Sequence, residues 1–160
     1  MKFLVDRMLG KLVKGLRMLG CDASYYRGED VQHLIALARR ESRVILTRNA
    51  KLIPRGPEDQ IIRITDDNPS LQLKELLRKG YISLDEVKAF SRCLDCNSFL
   101  AAIQQEEAEG KVPDFIFYHQ KEFFRCPLCE KIYWKGSHHQ NMERRLKQLF
   151  NDGDRQIPGD

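Results

Sequence analysis

No apolar run in the sequence approaches the roughly 18 residues that cross a membrane as a helix. The first residues carry one lysine and then a strand-like segment, without the apolar stretch and small-residue cleavage site of a secretion signal. Internal repeats and low-complexity tracts are also missing. These absences exclude a helical membrane protein and make the cytoplasm the expected compartment. Nor is there a large excess of one charge: 27 Lys and Arg face 23 Asp and Glu, a net +4 that permits a polyanionic partner without demanding one. What remains is ordinary globular composition, 42% hydrophobic and 31% charged over 160 residues. That is enough to bury a core and to form one domain, or one domain with a small appendage.

The stretch KFLVDRMLGKLVKGLRML sets the terms for the rest. Phe3, Leu4 and Val5 have the length and bounded look of a buried strand, and the run ends on a carboxylate, Asp6. A helical pattern follows at once. At 100° per residue, Met8, Leu9, Leu12, Val13, Leu16 and Leu19 fall within an arc of roughly 140°, one buried face, and Arg7, Lys11, Lys14 and Arg17 take the other side. An acid at a strand's carboxyl end sits where ligands collect in open α/β sheets. With a basic stripe beside it, the pattern suits a metal ion and a phosphate chain. It also suits a plain strand end and a solvated helix face.

Further along, Ala23–Tyr26 is a short strand candidate, and Asp22 before it reads as a structural turn residue. Asp30 precedes an amphipathic helix with Val31, Leu34, Ile35, Leu37 and Ala38, where an N-cap is its simplest role. Val44–Thr47 is a second buried strand and exits into Arg48-Asn49; Ile61, Ile62 and Ile64 form a third, ending at Thr65-Asp66-Asp67. Asn68-Pro69-Ser70 opens a helix from Leu71 to Lys79 that Gly80 terminates. The alternation predicts an α/β domain with a mainly parallel sheet over residues 1–82. Ser83 and Glu86 have capping-box spacing, which predicts a short connecting helix through Phe90.

From residue 91 to 150 the texture changes. RCLDCN and RCPLCEK each contain a Cys-x-x-Cys pair: Cys93 with Cys96, and Cys126 with Cys129. Each such turn points two thiolates inward, and two turns complete the tetrahedral Cys₄ shell of a structural Zn²⁺. With all four positions filled by protein, no coordination site is left for catalysis. A redox or disulfide pair is the competing reading, disfavoured in a reducing compartment. Cys21 reads as a bystander. Gln104–Lys111 reads as a surface loop or frayed helix, and Ile132–Trp134 as a strand. Ser137 caps a last helix with Met142, Leu146, Leu149 and Phe150 as its buried stripe and Arg144, Arg145 and Lys147 outside; a loose tail is expected over 151–160.

Asp6, Asp30 and Asn49 share a position at or near the mouths of strands in one α/β unit, and carboxylates so placed can hold Mg²⁺ or Mn²⁺. FLVDRMLGKLVKGLRMLG, the helix opened by Asp30, VILTRN, RCLDCN and RCPLCEKIYWKGSH together resemble the Mut-seven C-terminal domain family, PIN-like ribonuclease domains with an appended zinc ribbon. The resemblance spans about residues 2 to 150. It implies a PIN-like α/β fold, a structural zinc, RNA as partner and a metal-dependent endoribonuclease activity, with the family's acids falling on Asp6, Asp30 and Asn49. Where the family pattern reads Thr-Arg-Asp, this chain has Asn49, which offers a carbonyl oxygen but no negative charge. Asp66 and Asp67 are candidates to supply the missing charge. Arg7, Lys11, Lys14 and Arg17 are the candidate RNA contacts. The alternative is an RNA-binding or adaptor module in which the pocket has weakened and the ribbon and basic stripe do the work.

Overall fold

The structure, a computed structural model, describes residues 1–154; the side chains of His138, Met142, Leu146, Leu149, Phe150 and residues 152–154 lie outside the described residues. It divides into two compact units, Met1–Ala89 and a second beginning at Phe90. No described helix is long and apolar enough to cross a membrane.

In the first unit, Phe3, Leu4 and Val5 are wholly buried in β1 (Lys2–Val5). A strand buried on both faces belongs inside a parallel sheet covered by helices on both sides. β2 (Asp22–Tyr25), β3 (Val44–Thr47) and β4 (Ile61–Arg63) complete that sheet in the order β2-β1-β3-β4, every pair parallel. Leu4 and Ile45 point to the face covered by α2 (Val31–Glu41), where they pack with Leu34, Ile35 and Ala38. On α1 (Gly10–Met18), Leu12, Val13 and Leu16 are buried. A Cβ added at Gly15 of α1 would stand 3.5 Å from Leu73 of α3 (Pro69–Arg78), so these two helices pack closely.

Two expectations for the first helix need correction. A 3-10 turn, Arg7–Leu9, precedes α1, because the Asp6 side chain accepts from the Arg7 amide and caps the chain there. Its tighter winding shifts the phase of the early residues, and Met8 is 54% exposed rather than on the buried face. Arg17 leaves the basic stripe: it is buried, and its Nε donates to the Ala23 carbonyl of edge strand β2 at 3.0 Å. Asp22 opens β2 instead of forming a turn. It is structural all the same, accepting from Arg43 at 2.7 Å.

The segment between β3 and β4 is organised by Asp59. Arg39 of α2 reaches its two oxygens at 2.7 and 2.8 Å, and the Arg55 and Gly56 amides donate to Oδ2 at 2.9 and 3.2 Å. The Arg39 hydrogen bonds, then the Arg55 amide, hold this carboxyl well below the usual range. A carboxyl depressed in the folded state stabilises above its unfolded pKa, about 3.9, and that contribution fades as pH falls through the folded value. Asp59→Asn is therefore expected to lower the melting temperature at pH 7. The gap to wild type should narrow below about pH 4, and melting curves between pH 7 and pH 2 check it.

The second unit holds a three-stranded antiparallel sheet, β5 (Ala101–Ile103), β6 (Phe123–Arg125) and β7 (Ile132–Trp134). Its core is small: Ala108, Val112 and Phe123, with Ile116, Phe117 and Trp134 packed against them. The segment read as a surface loop contains a 3-10 turn, Gln105–Ala108, whose Ala108 is wholly buried. A short helix absent from the sequence reading, α4 (Asp114–His119), follows. The connector is only a 3-10 turn, Leu84–Glu86, and Ser83 makes no side-chain cap bond. The last helix, α5, runs Ser137–Asp154, past Phe150. The buried stripe expected on it and residues 155–160 of the expected tail lie outside the described residues.

Candidate functional site

In the order β2-β1-β3-β4 the chain leaves β1 toward one side of the sheet and β3 toward the other. The loops part at that point and leave a crevice at the carboxyl ends of the two strands. Asp6 and Asn49 lie there. Asp6 is 8% exposed; its backbone amide donates to the Leu46 carbonyl at 2.9 Å, which fixes it against the end of β3. The carboxylate is held from both sides, Oδ1 accepting from the Arg7 amide and Oδ2 from the Thr47 hydroxyl, each at 2.7 Å. Thr47 Oγ1 in turn accepts from the Asn49 amide at 3.0 Å. Asn49 Oδ1 accepts from the Lys51 amide at 3.0 Å, so the side chain shapes the turn that leaves β3.

Around Asp6 opens a cleft of about 400 Å³, lined by Arg7, Glu29, Arg48, Asn49 and Lys51 over an apolar floor that includes Tyr26, Leu34 and Leu52. Arg7 and Glu29 form an ion pair across 2.5 Å. Mixed charge on an apolar floor gives a site able to orient a charged ligand.

The sequence-derived acids do not all reach this cleft. Asp30 is exposed and outside the lining; its Oδ1 accepts from the Gln32 and His33 amides at 2.8 and 3.3 Å, capping α2. Glu29, its neighbour, lines the cleft instead. Asp66 accepts from the Asn68 amide and Asp67 pairs with Arg48, and neither lines the cleft. Of the basic stripe, Arg7 lines the cleft, Lys11 and Lys14 are exposed on α1, and Arg17 is buried. Thr47 and Glu29 were not singled out from sequence. A hydroxyl at the end of an otherwise apolar strand was the available signal for Thr47.

Among the described residues, the His, Cys, Asp and Glu ligand atoms close enough in threes or more to share an ion are those of Cys93, Cys96, Cys126 and Cys129, all within 4.8 Å of one another. Cys93 Sγ and Cys129 Sγ are 3.7 Å apart. Zinc–sulfur bonds of about 2.3 Å in a tetrahedron put sulfurs about 3.8 Å apart, so the spacing fits Zn²⁺. Both pairs build the same knuckle. The Asn97 and Glu130 amides donate to the Cys93 and Cys126 carbonyls at 3.0 Å, and both residues are left-handed, with φ of 65° and 63°. Amides also point at sulfur: Cys96 at Cys93 (3.4 Å), and Leu128 and Cys129 at Cys126 (3.4 and 3.5 Å). Burial opposes a thiolate at Cys126, but the Cys129 amide, the Ser98 hydroxyl and the Leu128 amide outweigh it and bring the thiol down to about 6.

Against known proteins, a family model described as the Mut7-C RNAse domain matches residues 1–146. No curated protein and no solved structure matches the chain significantly.

Proposed function

The chain belongs to the Mut7-C RNAse domain family, and from that premise we propose that it cleaves RNA phosphodiester bonds in the cleft at the ends of β1 and β3. The observation that carries this reading is the Asp6 carboxylate, held by Thr47 and the Arg7 amide at the floor of a cleft that also bears Arg7, Arg48 and Lys51. Each Asp6 oxygen takes one hydrogen bond and keeps a lone pair. It can therefore face an ion or a water as well.

A Mg²⁺ or Mn²⁺ site of this class needs one or two carboxylates, with waters and substrate phosphate making up the rest. Asp6 is the anchor, and Glu29 and the Asn49 amide oxygen are the auxiliary groups on the same cleft. Such an ion, when bound, would offset phosphodiester charge and acidify an attacking water. Asp30 enters as the cap of α2, whose backbone carbonyl accepts from Tyr26 Oη at 2.9 Å and so fixes the cleft floor. Arg7, Arg48 and Lys51 orient the scissile phosphate, while Lys11 and Lys14 extend the contact along the strand through phosphates. In the second unit Cys93, Cys96, Cys126 and Cys129 would hold a zinc, and with all four positions filled by cysteine it would be structural.

A second reading, an RNA-binding or adaptor module with a weakened pocket, draws on the uncharged Asn49 and on the acids that stay out of the cleft. One experiment separates the two. Labelled single-stranded RNA is incubated with wild type and Asn49→Asp, in Mn²⁺ and in Mg²⁺. Wild type is expected to cleave slowly and to favour Mn²⁺, and Asn49→Asp to raise metal affinity and cleavage on the order of 10-fold. A carboxylate at 49 can still accept from the Lys51 amide, so the turn should survive. It also stands near Asp6, so metal-free stability should dip slightly and recover on adding metal. No cleavage by either protein would favour the binding module.

A further inference from the structure

In the sheet of the second unit, the register pairs Ala102 with Phe124 and Phe124 with Tyr133, so these side chains share one face. The other face carries Phe123, Ile103 and Trp134 into the small core. Phe124 and Tyr133 are half-buried, and cations stand over both rings: Lys135 Nζ is 5.9 Å from the centre of Phe124, and Lys131 Nζ 5.9 Å from that of Tyr133. With Phe124 and Tyr133, Arg92 lines a shallow cleft on this face, and it places its guanidinium 4.0 Å from the ring centre of Phe99, which is 61% exposed.

Cation–ring pairs occur roughly once per 70–80 residues in folded proteins, and the described residues of this small unit hold three. Among the described residues, no carboxylate lines the cleft. Lys131 and Lys135 do pair with Asp95 and Glu122, at 3.1 and 3.9 Å. Those are exposed contacts of small worth, which a phosphate can replace. Phe99 contributes little to the core at its exposure. Tyr133 is held by its hydroxyl, which accepts from the Leu94 amide at 3.2 Å. Flat rings alternating with cations suit unpaired nucleobases on a polyanionic backbone: each base has a π-face to stack, and each phosphate meets a positive group.

We propose that this face binds single-stranded RNA, stacking bases on Phe99 and Phe124 and holding the adjoining phosphates with Arg92, Lys131 and Lys135. The proposal shares with the ribonuclease reading only RNA as ligand; it needs no cleavage in the first unit.

Trp134 turns its ring to the core face, so binding is read from the RNA. Full-length, zinc-loaded protein without added Mg²⁺ or Mn²⁺ is titrated into a fluorescein-labelled 12-nucleotide single-stranded oligouridylate and into a labelled RNA duplex of the same length. The single strand should gain anisotropy and the duplex should not. Phe99→Ala should weaken binding on the order of 10-fold with the salt slope unchanged, whereas Lys135→Gln should reduce the slope by about 0.7. Zinc content measured in each variant verifies the fold. Failure of the single strand to bind, or unchanged affinity in Phe99→Ala, would overturn the proposal and assign the aromatic face to a protein partner. Equal binding of the duplex would also overturn it. Binding that Phe99→Ala weakens, in a wild type that fails to cleave with Mn²⁺, would sink only the ribonuclease reading, and cleavage with binding that Phe99→Ala leaves unchanged would sink only this one.

Discussion

Removing zinc is expected to unfold the second unit and to leave the parallel sheet of the first in place. Purified protein should carry one zinc per chain. Among the described residues, the apolar cluster of the second unit is built on Ala108, Val112 and Phe123, which at roughly 1.5–3 kcal/mol for each large side chain offset little of the cost of ordering the chain. A structural zinc contributes apparent binding free energies of about 10–16 kcal/mol at neutral pH, and binding to the folded state alone is folding free energy. No zinc ligand lies in Met1–Ala89. After strong chelation, or in Cys126→Ser, amide hydrogen exchange over residues 91–136 should approach the unprotected rate while β1 and β3 stay protected. Cysteines hold zinc as thiolates, so acid should favour zinc release by reprotonating them. Zinc-free protein with disulfides mapped among Cys93, Cys96, Cys126 and Cys129 would refute this account.

A second large effect is expected at Asp6. Asparagine has nearly the same size, and the Thr47 hydroxyl can rotate to accept from an amide nitrogen where it now donates to a carboxylate. The variant should therefore fold, losing about the worth of one hydrogen bond, ~1 kcal/mol. What it cannot restore is the negative charge. If Asp6 is the anchor for cation and water, Asp6→Asn should reduce cleavage of labelled RNA roughly 100-fold or more. Raising Mn²⁺ should recover part of that loss if metal retention is the defect. A variant that melts within a few degrees of wild type and cleaves at the wild-type rate would remove Asp6 from the chemistry.

How far the sequence could be read follows from the range of the interactions. Val44–Thr47 was legible as a buried strand because its pattern is local, and so were the caps at Asp30 and Asn68. The four-cysteine cluster was legible because the two Cys-x-x-Cys turns carry their metal-ligand spacing locally, each within four residues. Met8 and Arg17 were misplaced because a single helical phase was carried back through a 3-10 turn, and because the partner of Arg17, the Ala23 carbonyl, belongs to another element. α4 gave no periodic signal. Six residues are too short for one, and Ile116 and Phe117 hold it by packing on the core of that unit. Thr47 and Asp6 are joined across 41 positions of sequence, and no spacing rule announces such a bond.

The long excursion between Cys96 and Cys126 acquires a meaning from the two matched knuckles. Once the metal joins them, residues 97–125 form a closed ring whose ends are pinned, and the entropy of closing such a ring rises only logarithmically with its length. Doubling the excursion would cost about 0.6 kcal/mol beyond what closure already costs, small beside the metal's contribution. Apart from the β5 and β6 strands and the contacts of Ala108, Val112, Ile116 and Phe117, this stretch is free to vary in length without loosening the clasp. A backbone cut between Lys111 and Asp114 would leave both fragments attached to the same ion.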